Sequence, residues 1–87
     1  MSALREQEQQ QRAVYARARK LLGEEQQELD RLLGDHAGAA GRWIAGDVEE
    51  AELVEREAEI EAVERRVRRY EAVVEATRPV STRHPAA

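Results

Sequence analysis

The sequence predicts an all-α fold: a two-helix antiparallel hairpin that associates into a dimeric four-helix bundle or coiled coil. Three observations predict it. Apolar residues recur at steps of three and four over two long stretches, one on each side of the middle of the chain. Four of the five glycines fall together between those stretches, in Gly34 to Gly46. The composition is also poor in large side chains, with no Phe, one Trp, two Tyr and one Met, and much of its 41% apolar content is Ala.

That last point drives the expectation of association. A chain of 87 residues forms one domain at most and buries a smaller share of its surface than a larger domain does. At roughly 25 cal/mol per Å² of buried apolar area, an Ala-rich hairpin struggles to offset about 1.5 kcal/mol of ordering entropy per residue. Cysteine is absent, which excludes disulfides and thiolate zinc sites. Oligomerisation remains as the route to stability.

Residues 1–12 are polar, with Leu4 the only large aliphatic after Met1. They favour helix but have nothing to bury, so they are expected as a partly frayed extension of the first helix. The first amphipathic pattern covers residues 13–33. Tyr15, Ala18, Leu22, Leu29 and Leu32 form its stripe, Glu25 fills the slot between Leu22 and Leu29, and Val14, Leu21 and Leu33 broaden it. Gly23 costs this helix about 1 kcal/mol relative to Ala. Gly34 directly after Leu33 reads as a helix stop.

Residues 34–46 are expected as a Gly-rich connection, with Asp35 capping a short turn that tucks Trp43 under the hairpin end. Asp47 and Glu50 then stand in capping-box spacing and open the second helix, residues 47–77. Its stripe is Leu53, Ile60, Val63, Val67, Tyr70 and Val74, interrupted by Arg56. Glu61 with Arg65 and Glu64 with Arg68 are spaced for pairing along the helix. Pro79 ends the pattern, and residues 78–87 read as a disordered tail.

Charge sets the expected assembly. Residues 47–64 hold nine acids and one Arg, whereas 65–83 hold six Arg and two Glu. A hairpin joined at 34–46 would lay Glu24, Glu25, Glu28 and Asp30 near Glu50, Glu52 and Glu55, like against like. An antiparallel copy of the second helix relieves this. Leu53, Ile60, Val63, Val67, Tyr70 and Val74 are therefore expected at an oligomer interface.

No constellation in the sequence carries catalysis, a cofactor or a metal. His36 and His84 do not follow a Glu by three, as a carboxylate-bridged metal bundle requires. The serines are Ser2 and Ser81, and Gly38, Gly41 and Gly46 make no phosphate loop. Arg65, Arg66, Arg68 and Arg69 beside Tyr70 have the make-up of a phosphate-contacting patch. Val67 and Tyr70 belong to the apolar seam, however, and the net charge of −4 argues against nucleic acid and anionic membrane. Trp43 is expected either to cap the bundle core or to anchor a protein partner.

No run approaches the 18 apolar residues of a membrane span, and the first twelve residues lack the apolar stretch of a secretory signal. A cytoplasmic location is the expectation. Thirteen Arg against one Lys, with abundant Ala, fits the coding bias of a GC-rich bacterial gene.

The mid-chain turn Trp43-Ile44-Ala45-Gly46, in a small acidic Cys-free hairpin, resembles that of the WXG100 secreted proteins. Two residues separate Trp from Gly here, where the family has one. The family's C-terminal signal, Tyr-x-x-x-Asp/Glu, is approached by Tyr70, with Val74 in the acidic slot and Glu75 one step later. The resemblance implies an exported helical hairpin that works with a specialised secretion system. The residues themselves lead to a non-enzymatic protein–protein interaction or adaptor module, self-associating through helix 2. An accessory of nucleic-acid or transcription machinery acting through the Arg cluster is a third expectation.

Overall fold

A computed structural model describes the backbone of residues 2–79 and the side chains from Arg5 to Pro79. It is an all-α hairpin of two antiparallel helices, α1 (Ser2–Ile44) and α2 (Glu50–Thr77), with no strand among the described residues. The expected tail, 78–87, lies outside the described residues from position 80 onward.

The main departure from the sequence expectation is the length of α1. It does not end at Leu33, and the connection is not 34–46: only residues 45–49 separate the helices. The reason is visible in the stripe itself. Tyr15, Ala18, Leu22, Glu25, Leu29 and Leu32 continue at His36, Ala39 and Trp43 with no change of step. The seam thus runs straight through the glycine-rich segment. Gly34 and Gly41 each weaken the helix by about 1 kcal/mol. Ala37, Ala39 and Ala40 are the strongest helix formers, and Ala39 is completely enclosed. Asp35 is accordingly a mid-helix residue whose carboxylate accepts from Arg31 at 3.1 Å, and it caps nothing.

The glycine that does stop α1 is Gly46, whose φ of 86° lies in the left-handed region. Gly46 N–H donates to the Trp43 carbonyl at 2.9 Å and Asp47 N–H to the Arg42 carbonyl at 2.8 Å. These two bonds form a Schellman cap. They commit Asp47 to the end of α1, so it cannot also open α2. The N-cap is Glu49, without a side-chain cap bond, and α2 starts at Glu50.

Three contacts fix the register. Arg66 donates through Nε to Glu25 Oε1 at 2.5 Å, His36 Nε2 lies 3.1 Å from Glu57 Oε2, and Leu32 packs with Ile60, Val63 and Val67. This alignment sets Ala18 opposite Val74 and Ala39 opposite Leu53, and all four are buried. It also removes the predicted like-charge clash. The acids from Glu24 to Asp30 face the stretch containing Arg65, Arg66 and Arg68, while Glu50 to Glu55 face the segment Ala37 to Arg42, whose one charge is basic. The longer first helix slides the acidic stretch by about three turns relative to the expectation.

The molecule measures 66 × 31 × 13 Å. The longest dimension is that of α1 alone, 43 residues at about 1.5 Å each. The shortest is the thickness of one helix with its side chains. Register places the end of α2 level with Tyr15, so the first thirteen or so residues of α1 run on as a single helix for about 20 Å. Their described side chains, from Arg5 to Val14, are all exposed.

Candidate interaction surface

The stripe on α2 is covered within one chain. Leu53, Ile60, Val63, Val67 and Val74 are buried, and Tyr70 is half-buried. The sequence pattern alone assigns these six residues to an interface between copies. In the hairpin they pack on α1, because α1 is long enough to line them from end to end. An association of intact hairpins therefore draws on other surfaces.

The seam is thin. Its continuous cluster is Leu32, Ile60, Val63 and Val67, extended by half-buried Leu22 and Leu29. Among the described residues no large side chain is fully enclosed. Two polar interruptions break it. Glu25 occupies a seam position and is bound by Arg66, whose guanidinium is held charged beyond its ordinary range by that hydrogen bond. Nearer the loop, the register sets Arg56 opposite His36. The Arg56 Nε is enclosed and has no hydrogen-bond partner among the described residues.

Among the described residues, four of the five exposed large apolar residues gather toward the loop: Ile44 is 80% exposed, Val54 55%, Leu33 46% and Trp43 43%, while Val14, 47% exposed, lies at the open end. Leu33, Ile44 and Val54 each follow a seam residue by one position (Leu32, Trp43 and Leu53). In an antiparallel pair, residues one step beyond the seam on both helices lie on the same broad side. These three thus share one face, with Ala37 and half-buried Ala40 between them. Trp43 lies at the closed end, neither buried as a core cap nor fully free. The helices supply this face because the stretch after Leu32 has small residues where a soluble helix usually carries charge.

Of the arginine cluster, Arg65, Arg68 and Arg69 are exposed, and Arg66 turns inward to Glu25. The expected pairs Glu61–Arg65 and Glu64–Arg68 do not close to ion pairs. On α1, Arg31 bridges Glu28 and Asp35 instead, and its hydrogen bond holds the Glu28 carboxyl below the ordinary 4.5. Arg19 lies 5.9 Å from the Tyr15 ring centre, a cation–π contact on the open end.

Sequence reasoning finds the Arg cluster and Trp43 but misses the Leu33–Ile44–Val54 face. Its signal is present: continuing the three-four step past Leu32 assigns Leu33 and Ile44 to the outside. Among the described residues no His, Cys, Asp or Glu cluster of metal-binding make-up forms, and no helix is long and apolar enough to cross a membrane. The turn that resembles the WXG100 proteins, Trp43 to Gly46, is the C-terminal cap of α1. No family model matches the chain, and neither does any curated protein or solved structure compared with it.

Proposed function

We propose that this chain is a non-catalytic protein–protein interaction module, a helical hairpin that self-associates as a homodimer and presents its ends to further protein partners. The observation that carries this reading is the single-layer shape. A hairpin 13 Å thick leaves both broad sides of both helices uncovered. Stable domains pack at least two layers around a core. Here the core is one seam with no fully enclosed large side chain among the described residues, and three aliphatic side chains stand exposed on one side. A second hairpin laid on that side supplies the missing layer and makes the four-helix bundle.

Helix α2 remains central to the reading in an altered role. Its stripe holds α1, and its outer surface, including Val54, Arg65, Arg68 and Arg69, is what it offers to a partner. The exposed arginines are also what a phosphate-binding role would use. The acidic balance of the whole chain weighs against nucleic acid, and the carboxylates of a second copy are the counterpart at hand.

The test is size-exclusion chromatography with light scattering at micromolar concentration. The proposal expects a species of twice the 9.9 kDa chain mass. A stable 9.9 kDa species that keeps its full helicity would end it.

A further inference from the structure

The uncovered face and the charge distribution together specify which copy-to-copy arrangement the hairpin adopts. Residues 35–61, the loop half, hold nine acids against two Arg. Residues 5–20 and 72–79, which the fold brings together at the open end, hold six bases against three acids. Register leaves the intervening turns close to neutral, because Glu24, Glu25, Glu28 and Asp30 face Arg65, Arg66 and Arg68. The folded hairpin is thus a rod that is negative at the closed end and positive at the open end. The apolar side chains Leu33, Ile44 and Val54 all lie in the negative half.

From this we infer that the Leu33–Ile44–Val54 face is the dimer interface, and that it docks antiparallel on the same side of a second copy, closed end against open end. This rests on the self-associating reading above. On that side the closed half carries Glu50, Glu57 and Glu61, each one step past a seam position. By the same rule the open half carries Arg12, Arg19 and Arg68, together with Glu71 and Glu75, the latter bridged to Arg78. All eight are exposed. Two closed ends brought together would stack acid on acid over the apolar face. An antiparallel copy lays arginine over it: the aliphatic stems cover Ile44 and Val54, and the guanidinium groups reach the flanking carboxylates. Ala16 and Gly23, on the same side of the open half, leave room for the larger aliphatic groups of the partner. A two-fold axis across the middle of the two-helix body uses each such contact twice. The opposite broad side, with Val14 and half-buried Leu21 and Val73, offers fewer exposed large aliphatics and stays outside the pair.

The natural chain has no cysteine, so one introduced cysteine per chain places one spin label per copy. Pulsed electron–electron double resonance is measured on Ala45→Cys, at the closed end, and on Gln26→Cys, near the middle of the two-helix body. With about thirty residues of α1 in that body at about 1.5 Å each, the antiparallel pair separates the Ala45 labels by about 45 Å and brings the Gln26 labels within about 25 Å. Ile44→Glu weakens dimerisation at least tenfold by light scattering, with far-UV helicity unchanged because the side chain is already exposed. The charge reversal Glu50→Lys with Glu61→Lys, which leaves the His36–Glu57 contact of the hairpin intact, weakens it too, and mixing that variant with Arg19→Glu, Arg68→Glu restores a heterodimer. A short Ala45 distance, or a dimer indifferent to Ile44→Glu, overturns the arrangement while leaving self-association standing. A monomer at micromolar concentration overturns both.

Discussion

Single residues in this hairpin separate into those that hold its geometry and those that tax it. Gly34 is helical, and a Cβ there meets nothing within 4 Å. Gly34→Ala should stabilise the fold by up to about 1 kcal/mol through helix propensity alone. Gly46 has equally open surroundings but a φ of 86°. Gly46→Ala should destabilise by about 1 kcal/mol or more, since only glycine adopts that conformation freely. Thermal melts of the two variants should move in opposite directions. Two shifts of the same sign would contradict an α1 that runs through Gly34 and is capped at Gly46. Arg56 is a cost of another kind, with an enclosed Nε that has no partner among the described residues. Arg56→Met fills the seam position without an orphaned donor, and urea melts should show a gain of about 1 kcal/mol. Glu28 gives the pH dependence. Its folded carboxyl is held below the ordinary 4.5 by the hydrogen bond from Arg31. A depressed acid stabilises above its unfolded value and loses that contribution as pH falls through the folded one. Glu28→Gln should therefore be less stable than the natural chain at neutral pH and indistinguishable from it in strong acid.

At the scale of the elements, the two helices differ in how legible they are. Helix α2 declares itself: its apolar steps from Ile60 to Val74, its acidic first turn and Pro79 beyond its end all point to the helix that forms, apart from a start displaced from Asp47 to Glu50. Helix α1 is half legible. Its stripe as far as Leu32 is plain, but the glycines after it carry two meanings in a sequence. A glycine terminates a helix only when the backbone turns left-handed there. That choice is made by what the following residues can pack against. Ala39 against Leu53 rewards continuation, and this contact is more than ten residues apart in the chain. The same misplaced boundary produces the expected clash between Glu24–Asp30 and Glu50–Glu55, which the longer helix dissolves. The role of the α2 stripe is hidden for the same reason, because a shorter α1 would not cover Leu53. The seam makes a direct prediction. Leu32→Ala should cost about 2 to 3 kcal/mol, the low end for a buried leucine because a two-helix seam relaxes easily. Val54→Ala, on the outer side of the neighbouring turn, should stay within about 0.5 kcal/mol in the dissociated hairpin.

At the scale of the whole molecule, the hairpin is a rod rather than a globule. Its radius of gyration is 19.7 Å, where a compact chain of this length would have about 12 Å. Elongation follows from two long helices with one seam, and it creates the two properties that bear on function. One is surface: both broad sides stay open, and one of them is apolar near the loop. The other is polarity along the axis, acidic at the closed end and basic at the open end. The sequence shows the polarity of α2 alone. Only the register reveals that α1 adds its own basic residues to the same end and its acids to the middle. On the proposed reading a partner meets a finished hairpin, because the α2 stripe is already buried within one chain. Isotope-filtered NOE spectroscopy on an equimolar mixture of labelled and unlabelled chains, refolded together, separates contacts within a chain from contacts between chains. The methyl contacts of Leu32 with Ile60 and Val63 should be strong in the fully labelled protein and absent from the filtered spectrum. Their appearance in the filtered spectrum would show that α2 gives its stripe to another copy, and would contradict the hairpin as the unit of assembly.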